Sequence, residues 1–172
     1  MKVFILLFFV VAINADQRVL LISDQYTTTI SSPQGKKTSL EKWCTTSMPG
    51  RIGDQAQWLG IEGMDGWPDK YQATFTASFY TDCPSQSGTL ILVADDVHIA
   101  YINGKPVGTG GGWNTTFTYK IELVCGVNNL TIVVINYVSS TAGALTFKII
   151  QDTSDCYKCN PATFYNFDTC SC

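Results

Sequence analysis

Two adjacent carboxylates, Asp95 and Asp96, stand two residues before His98, the only histidine of the chain. Neighbouring carboxylates at a strand end are hard oxygen donors and could form the charged half of a calcium site, which takes six to eight oxygens. Aspartate in that position also ends a strand and accepts backbone N–H bonds in a turn. Both readings stand on the residues alone. His98 falls inside an alternating run with Val97, Ile99 and Tyr101, so a place on a strand face is expected rather than work as a general base. No Gly-x-Ser-x-Gly elbow and no His-Glu-x-x-His metal helix occurs in the sequence. Paired carboxylates for glycoside chemistry have a spacing that exists only in three dimensions. With no residue set for proton transfer in view, a non-enzymatic protein is expected.

Sugar recognition needs an aromatic ring for the apolar face of a pyranose and a few fixed polar groups for its hydroxyls. Four tryptophans are available; most tryptophans of a sandwich are core, but Trp67 and Trp113 lie in Gly/Pro-rich stretches that make them the candidates for an exposed binding ring. The run Gly108 to Gly112 lacks the Lys-Ser/Thr ending of a phosphate loop and reads as a flexible connection. With 11 Lys+Arg against 14 Asp+Glu and no basic cluster, nucleic acid is not an expected partner.

Met1 and Lys2 precede an apolar run from Val3 to Ile13, and the small Ala15 stands before the polar Asp16-Gln17-Arg18. This is the pattern of a secretory signal peptide over residues 1–15, cleaved after Ala15. A membrane-spanning helix needs roughly 20 apolar residues, so no span is expected. All seven cysteines follow the leader, in a compartment where disulfides persist. Cys83 and Cys125 each precede an apolar run and are expected to bond across neighbouring strand ends. Cys156-x-x-Cys159 and Cys170-x-Cys172 could be read as a zinc site, but disulfides are the stronger expectation for a secreted chain. The odd count leaves one thiol unaccounted for within the monomer, through which a disulfide-linked oligomer would form. Two sequons, Asn114-Thr115-Thr116 and Asn129-Leu130-Thr131, agree with a secretory route.

The elements that must position these residues are strands. Short β-branched and aromatic runs separated by Gly, Pro, Asn and Asp extend from Val19 to Ile150, with no sustained helical period. About eight strands are expected by that pattern, in an antiparallel jelly-roll β-sandwich of the all-β class. They are Val19–Ile22, Tyr26–Ile30, Tyr71–Phe79, Thr89–Ala94, His98–Ile102, Phe117–Leu123, Leu130–Ile135 and Leu145–Ile150. In Tyr71 to Phe79 every odd position is apolar and every even one polar, the mark of a strand with one wet face. Thr89–Ala94 and Leu130–Ile135 are more continuously apolar and should be central strands covered on both sides. Asn103-Gly104 accepts the positive φ angles of a type I′ hairpin. The sandwich is expected over residues 16–152, followed by a Cys-rich tail at 153–172 too short to hold a core.

From Gly88 to Val107, with Trp113 and the run from Cys125 to Ile132 downstream, the chain resembles extracellular β-sandwich domains of the galactose-binding-like superfamily. The matching features are a strand, Ala-Asp-Asp, a strand ending Tyr-Ile-Asn-Gly-Lys, a loop with Trp, and a Gly-x-Asn turn before Leu-Thr-Ile-Val-Val. Asp-Asp followed by a tyrosine and an Asn-Gly hairpin is also similar to PA14-type adhesin domains. That resemblance implies an Asp95–Asp96 pair joined by a cis peptide, holding a calcium ion that grips sugar hydroxyls. Its third ligand is a distant Asn, for which Asn136 is the candidate. The tail is similar to the opening of the cysteine-rich repeats of some protist surface proteins.

These features together lead to a secreted or cell-surface recognition module. Its ligand is expected to be a glycan or an extracellular protein. The other reading is a structural coat or matrix protein cross-linked through its tail.

Overall fold

The computed structural model describes residues 18–33, 38–40, 52, 55–62, 64, 66–81, 87–137 and 143–151. The expected leader at 1–15, the tail at 153–172 with Cys156, Cys159, Cys170 and Cys172, and Cys83 all lie outside the described residues. Cys125 is disulfide-bonded.

Two antiparallel sheets pack face to face. The strands are β1 (Arg18–Ile22), β2 (Thr29–Ser31), β3 (Thr38–Leu40), β4 (Leu59–Ile61), β5 (Gln72–Thr81), β6 (Ser87–Asp95), β7 (Val97–Ile102), β8 (Lys105–Gly111), β9 (Phe117–Glu122), β10 (Gly126–Ile135) and β11 (Ala144–Gln151). One sheet runs β3-β4-β11-β6-β9, with β1 also on β11, and the other runs β2-β5-β10-β7-β8. From β5 onward most connections pass from one sheet to the other, the winding of a jelly roll. Among the described residues no helix is long and apolar enough to cross a membrane.

The expected alternation of β5 is seen residue by residue. Ala73, Phe75, Ala77 and Phe79 are buried, while Gln72, Thr76, Ser78 and Tyr80 face solvent. From β6, Leu90, Leu92 and Ala94 enter the main core between the sheets, facing Leu130, Ile132 and Val134 of β10 and beside Leu145, Phe147 and Ile149 of β11. On its opposite face Val93 packs with Trp58 and Ala144 in a second small cluster. β6 is thus covered on both sides, as its apolar run predicts. β10 is not: Thr131, Val133 and Ile135 on its outer face are only half-buried. The reason is positional, since β10 is the middle strand of a sheet whose outer face carries no second layer of described residues.

Three strands escape the sequence reading. β3 and β4 are three residues each, too short to show a period. β8 corrects the reading of Gly108 to Gly112 as a flexible connection. It pairs along β7 from Ile102↔Lys105 to Val97↔Gly111, and its glycines make room for aromatic rings. A Cβ on Gly108 would meet the Tyr119 ring and one on Gly110 the Phe117 ring. Conversely, the expected strand Tyr26–Ile30 is reduced to Thr29–Ser31. The Asp24 carboxylate accepts the N–H groups of Tyr26 and Thr27 and so builds a turn there.

Phe117 and Tyr119 also enclose His98, whose ring meets both edge-on at centroid distances of 4.8 and 5.8 Å. His98 Nε2 lies 2.8 Å from Tyr119 Oη, and Nδ1 has no hydrogen-bond partner among the described residues. Its burial opposes the charged form and lowers its pKa from 6.5 to about 4. The unfolded chain therefore takes up a proton that the folded one refuses between these values. Stability is complete above pH 6.5 and falls as pH drops toward 4, by about 2 kcal/mol at pH 5. Urea titrations at pH 7.5 and pH 5 should show that loss, and His98→Leu should remove His98's share of it.

Candidate functional site

Asp95 closes β6 and Val97 opens β7, so the chain steps from the six-stranded sheet to the five-stranded one across the single residue Asp96. The Asp95–Asp96 peptide bond is cis, the form that the likeness to PA14-type domains implies. Three further strand ends meet at this rim, and registry places them there. Ile135 and Gly111 both pair with Val97, and Ala144 pairs with Asp95.

Asp96 ties the rim together. Its main-chain carbonyl accepts the N–H of Gly112 at 2.7 Å, just before Trp113. Its carboxylate Oδ2 accepts the N–H of Tyr137 at 2.8 Å. Asn136, wholly buried, anchors the segment beneath. Its N–H donates to the carbonyl of Tyr71 at 2.9 Å. Its Nδ2 donates to the carbonyls of Trp67 at 2.9 Å and Pro68 at 3.2 Å. The result is a half-buried carboxylate between two loops that each present an aromatic side chain to solvent, Trp113 at 43% and Tyr137 at 54% exposure.

The sequence-derived residues are distributed as follows. Asp95, Asp96, Asn136 and Trp113 come together at this rim. Trp67 also lies there but is 1% exposed, the core place most tryptophans of a sandwich take, so as a candidate ligand-binding ring it is corrected. Its indole stands edge-on to Tyr71 at 5.2 Å and stacked with Phe75 at 6.4 Å, because the Trp-Pro segment folds inward over the end of the core. Asn103 is at the far end of β7, with φ of 51° followed by 76° at Gly104, the expected hairpin turn. Asn114 is exposed beside Trp113, and Asn129 is exposed on the outer face of β10. His98 lies between the sheets. Tyr137 was missed, and only its position after Asn136 at the end of an apolar run could have marked it.

The donor set bears on calcium. Asp95 and Asp96 supply two carboxylates, while Asn136 has committed Nδ2 to two carbonyls. Among the described residues no group of three or more His, Cys, Asp and Glu side chains gathers around a metal position. Two carboxylates are chemically the charged half of a calcium shell; Asp95 is buried at 3% exposure and Asp96 is half-buried, so the other ligands would have to be carbonyls, water or ligand hydroxyls.

No protein-family model matches the chain, and no curated protein does. Among solved structures, an FMN-binding β-glucuronidase from Facaelibacterium prausnitzii L2-6 is similar over 80% of this chain and 23% of its own, with a TM-score of 0.54 and 19% identity. A Pleurotus ostreatus lectin in complex with GalNAc is similar over 52% of this chain and 28% of its own, with a TM-score of 0.47 and 23% identity. A family 35 carbohydrate-binding module from Clostridium thermocellum covers 77% of this chain and 97% of its own, at a TM-score of 0.44 and 14% identity. The chain spans about a quarter of the length of the glucuronidase and the lectin. The likeness to the glucuronidase is one of fold: the chain is an all-β, two-sheet antiparallel sandwich.

Proposed function

We propose that the chain is a non-enzymatic carbohydrate-recognition module of galactose-binding-like type that reads its ligand at the Asp96 rim. The observation that carries this reading is the pair of backbone hydrogen bonds from Gly112 and Tyr137 to Asp96. They bring the segments that carry the exposed Trp113 and Tyr137 to Asp96. A pyranose presents an apolar face to a ring and hydroxyls to fixed acceptors, and this rim offers both kinds of contact. Calcium bound by Asp95 and Asp96 would add a centre of positive charge able to take sugar hydroxyls as ligands. The chain's own part is to keep both carboxylates at the sheet-to-sheet step and to anchor the Tyr137 segment through Asn136. The leader at 1–15, secretion to the extracellular space or cell surface, and the Cys83–Cys125 disulfide belong to the same proposal.

A glycan array probed in calcium and again in a chelator tests the reading. Binding to a restricted set of glycans is expected. Asp96→Asn keeps an acceptor for the Tyr137 N–H but removes the charge, and Trp113→Ala removes a ring. Each should weaken binding at least about tenfold, the effect of roughly 1.4 kcal/mol, with the folded state intact. An array blank in both conditions would contradict the proposal.

A further inference from the structure

Away from the rim, the outer face of the five-stranded sheet holds a groove of about 560 Å3 between β2, β5 and β10. Its lining includes the side chains of Thr27, Thr29, Thr76, Ser78, Asn129 and Thr131. Such a volume is within the range of small-molecule sites, yet the lining is a bed of hydroxyls rather than of apolar groups. Each hydroxyl can both donate and accept a hydrogen bond. Registry explains how they come together: Thr29 pairs with Thr76, Asn129 with Ser78, and Thr131 with Thr76. Thr29 and Thr76 approach at 2.7 Å between their Oγ1 atoms.

Asn129 and Thr131 are the first and third residues of a sequon, so both ends of a glycosylation signal lie in the groove wall. The amide of Asn129 is also oriented. Ser78 Oγ donates to its Oδ1 at 2.8 Å, and its backbone N–H donates to Asn103 Oδ1 at 2.9 Å. The carbonyl half of the amide thus faces β5. The nitrogen half, which carries an N-linked sugar, is turned away from β5 on the exposed face, so the sugar reaches the groove by folding back over β10.

We infer that Asn129 is N-glycosylated and that the first sugars of its glycan lie in this groove, hydrogen-bonded to the hydroxyls of Thr29, Thr76 and Thr131. The groove is then an intramolecular seat that covers the otherwise single-layered outer face of β5 and β10. It is separate from the Asp96 rim: it rests on the proposed secretion of the chain but not on ligand binding at that rim.

The test uses the full chain secreted from insect cells. Mass spectrometry of the peptide containing Asn129 should show it occupied. Thr131→Val removes the sequon while leaving Asn129 in place, and should lower Tm by roughly 3 °C, the scale of about 1 kcal/mol. Trimming the glycan to its first sugar should keep the higher Tm. The paired change Thr29→Val, Thr76→Val should abolish the difference between the glycosylated chain and its Thr131→Val counterpart. Tyr80→Ser, which alters the exposed ring two residues beyond Ser78, should not. An unmodified Asn129, equal Tm values with and without the glycan, or a difference abolished by Tyr80→Ser but retained without the two threonine hydroxyls would each overturn the inference.

Discussion

Asn128→Ala is expected to destabilise the fold by about 4 kcal/mol, enough to lower Tm by roughly 12 °C. Asn128 is fully buried at the end of the sandwich opposite the Asp96 rim. Its Oδ1 accepts the N–H of Val124 at 2.8 Å and Nδ2 of Asn103 at 2.9 Å. Its Nδ2 donates to the Val124 carbonyl at 2.8 Å and to Thr81 Oγ1 at 3.0 Å. One amide therefore closes the turn from β9 to β10, holds β5 beside it and steadies the Asn103-Gly104 hairpin. Truncation leaves donors and acceptors of several segments without partners, and each buried one costs about 1–3 kcal/mol. Urea unfolding followed by tryptophan fluorescence measures the loss. Asn128→Asp should also destabilise, since it keeps the acceptor but loses the bonds donated to Thr81, Val124 and Gly126 and buries a charge. A change below about 1 kcal/mol for alanine would show that the turn is held by other means.

Gly143→Ala should be nearly as damaging, at about 3 kcal/mol. A Cβ on Gly143 would fall within the indole of Trp67. That ring has no room to retreat, being boxed by Tyr71 and Phe75. The effect should reach the rim as well, because the carbonyl of Trp67 is where Asn136 Nδ2 is anchored. Loss of stability should thus come with weaker ligand binding at fixed temperature below the transition. Trp67→Leu, introduced into the Gly143→Ala chain, opens the space again. It should return part of the stability, whereas the same change in the parent chain should cost a few kcal/mol by leaving a cavity. Equal costs of Trp67→Leu in both backgrounds would show that the glycine and the indole are not coupled.

How far these features could be read in the sequence depends on whether their cause is local. The alternation of Ala73, Phe75, Ala77 and Phe79 and the Asn103-Gly104 turn are dictated by neighbouring residues, so both are legible. Strand β8 is not, because its glycines answer to Tyr119 and Phe117 on a different strand. Out of context a Gly-rich run looks like a loop. Trp67 could be read as core or as a loop ring for a related reason: a Trp-Pro segment does not show by itself whether the packing of Tyr71 and Phe75 turns the ring inward. Of the rim, Asp95, Asp96, Asn136 and Trp113 carry residue types that suggest binding. Tyr137 carries no such sign until its N–H is seen on Asp96 Oδ2. The half-exposed outer face of β10 was equally hidden, since an apolar run does not reveal whether its sheet has a covering layer.

The most direct measurement of the central claim is a map of backbone amide shifts by NMR as a glycan selected on the array is titrated into the folded chain. The account predicts perturbations confined to Asp95 through Val97, Gly111 through Asn114 and Asn136–Tyr137, absent in Asp96→Asn. Perturbations centred on the Asn103-Gly104 end, or on the outer face of β10 with the rim unchanged, would contradict it.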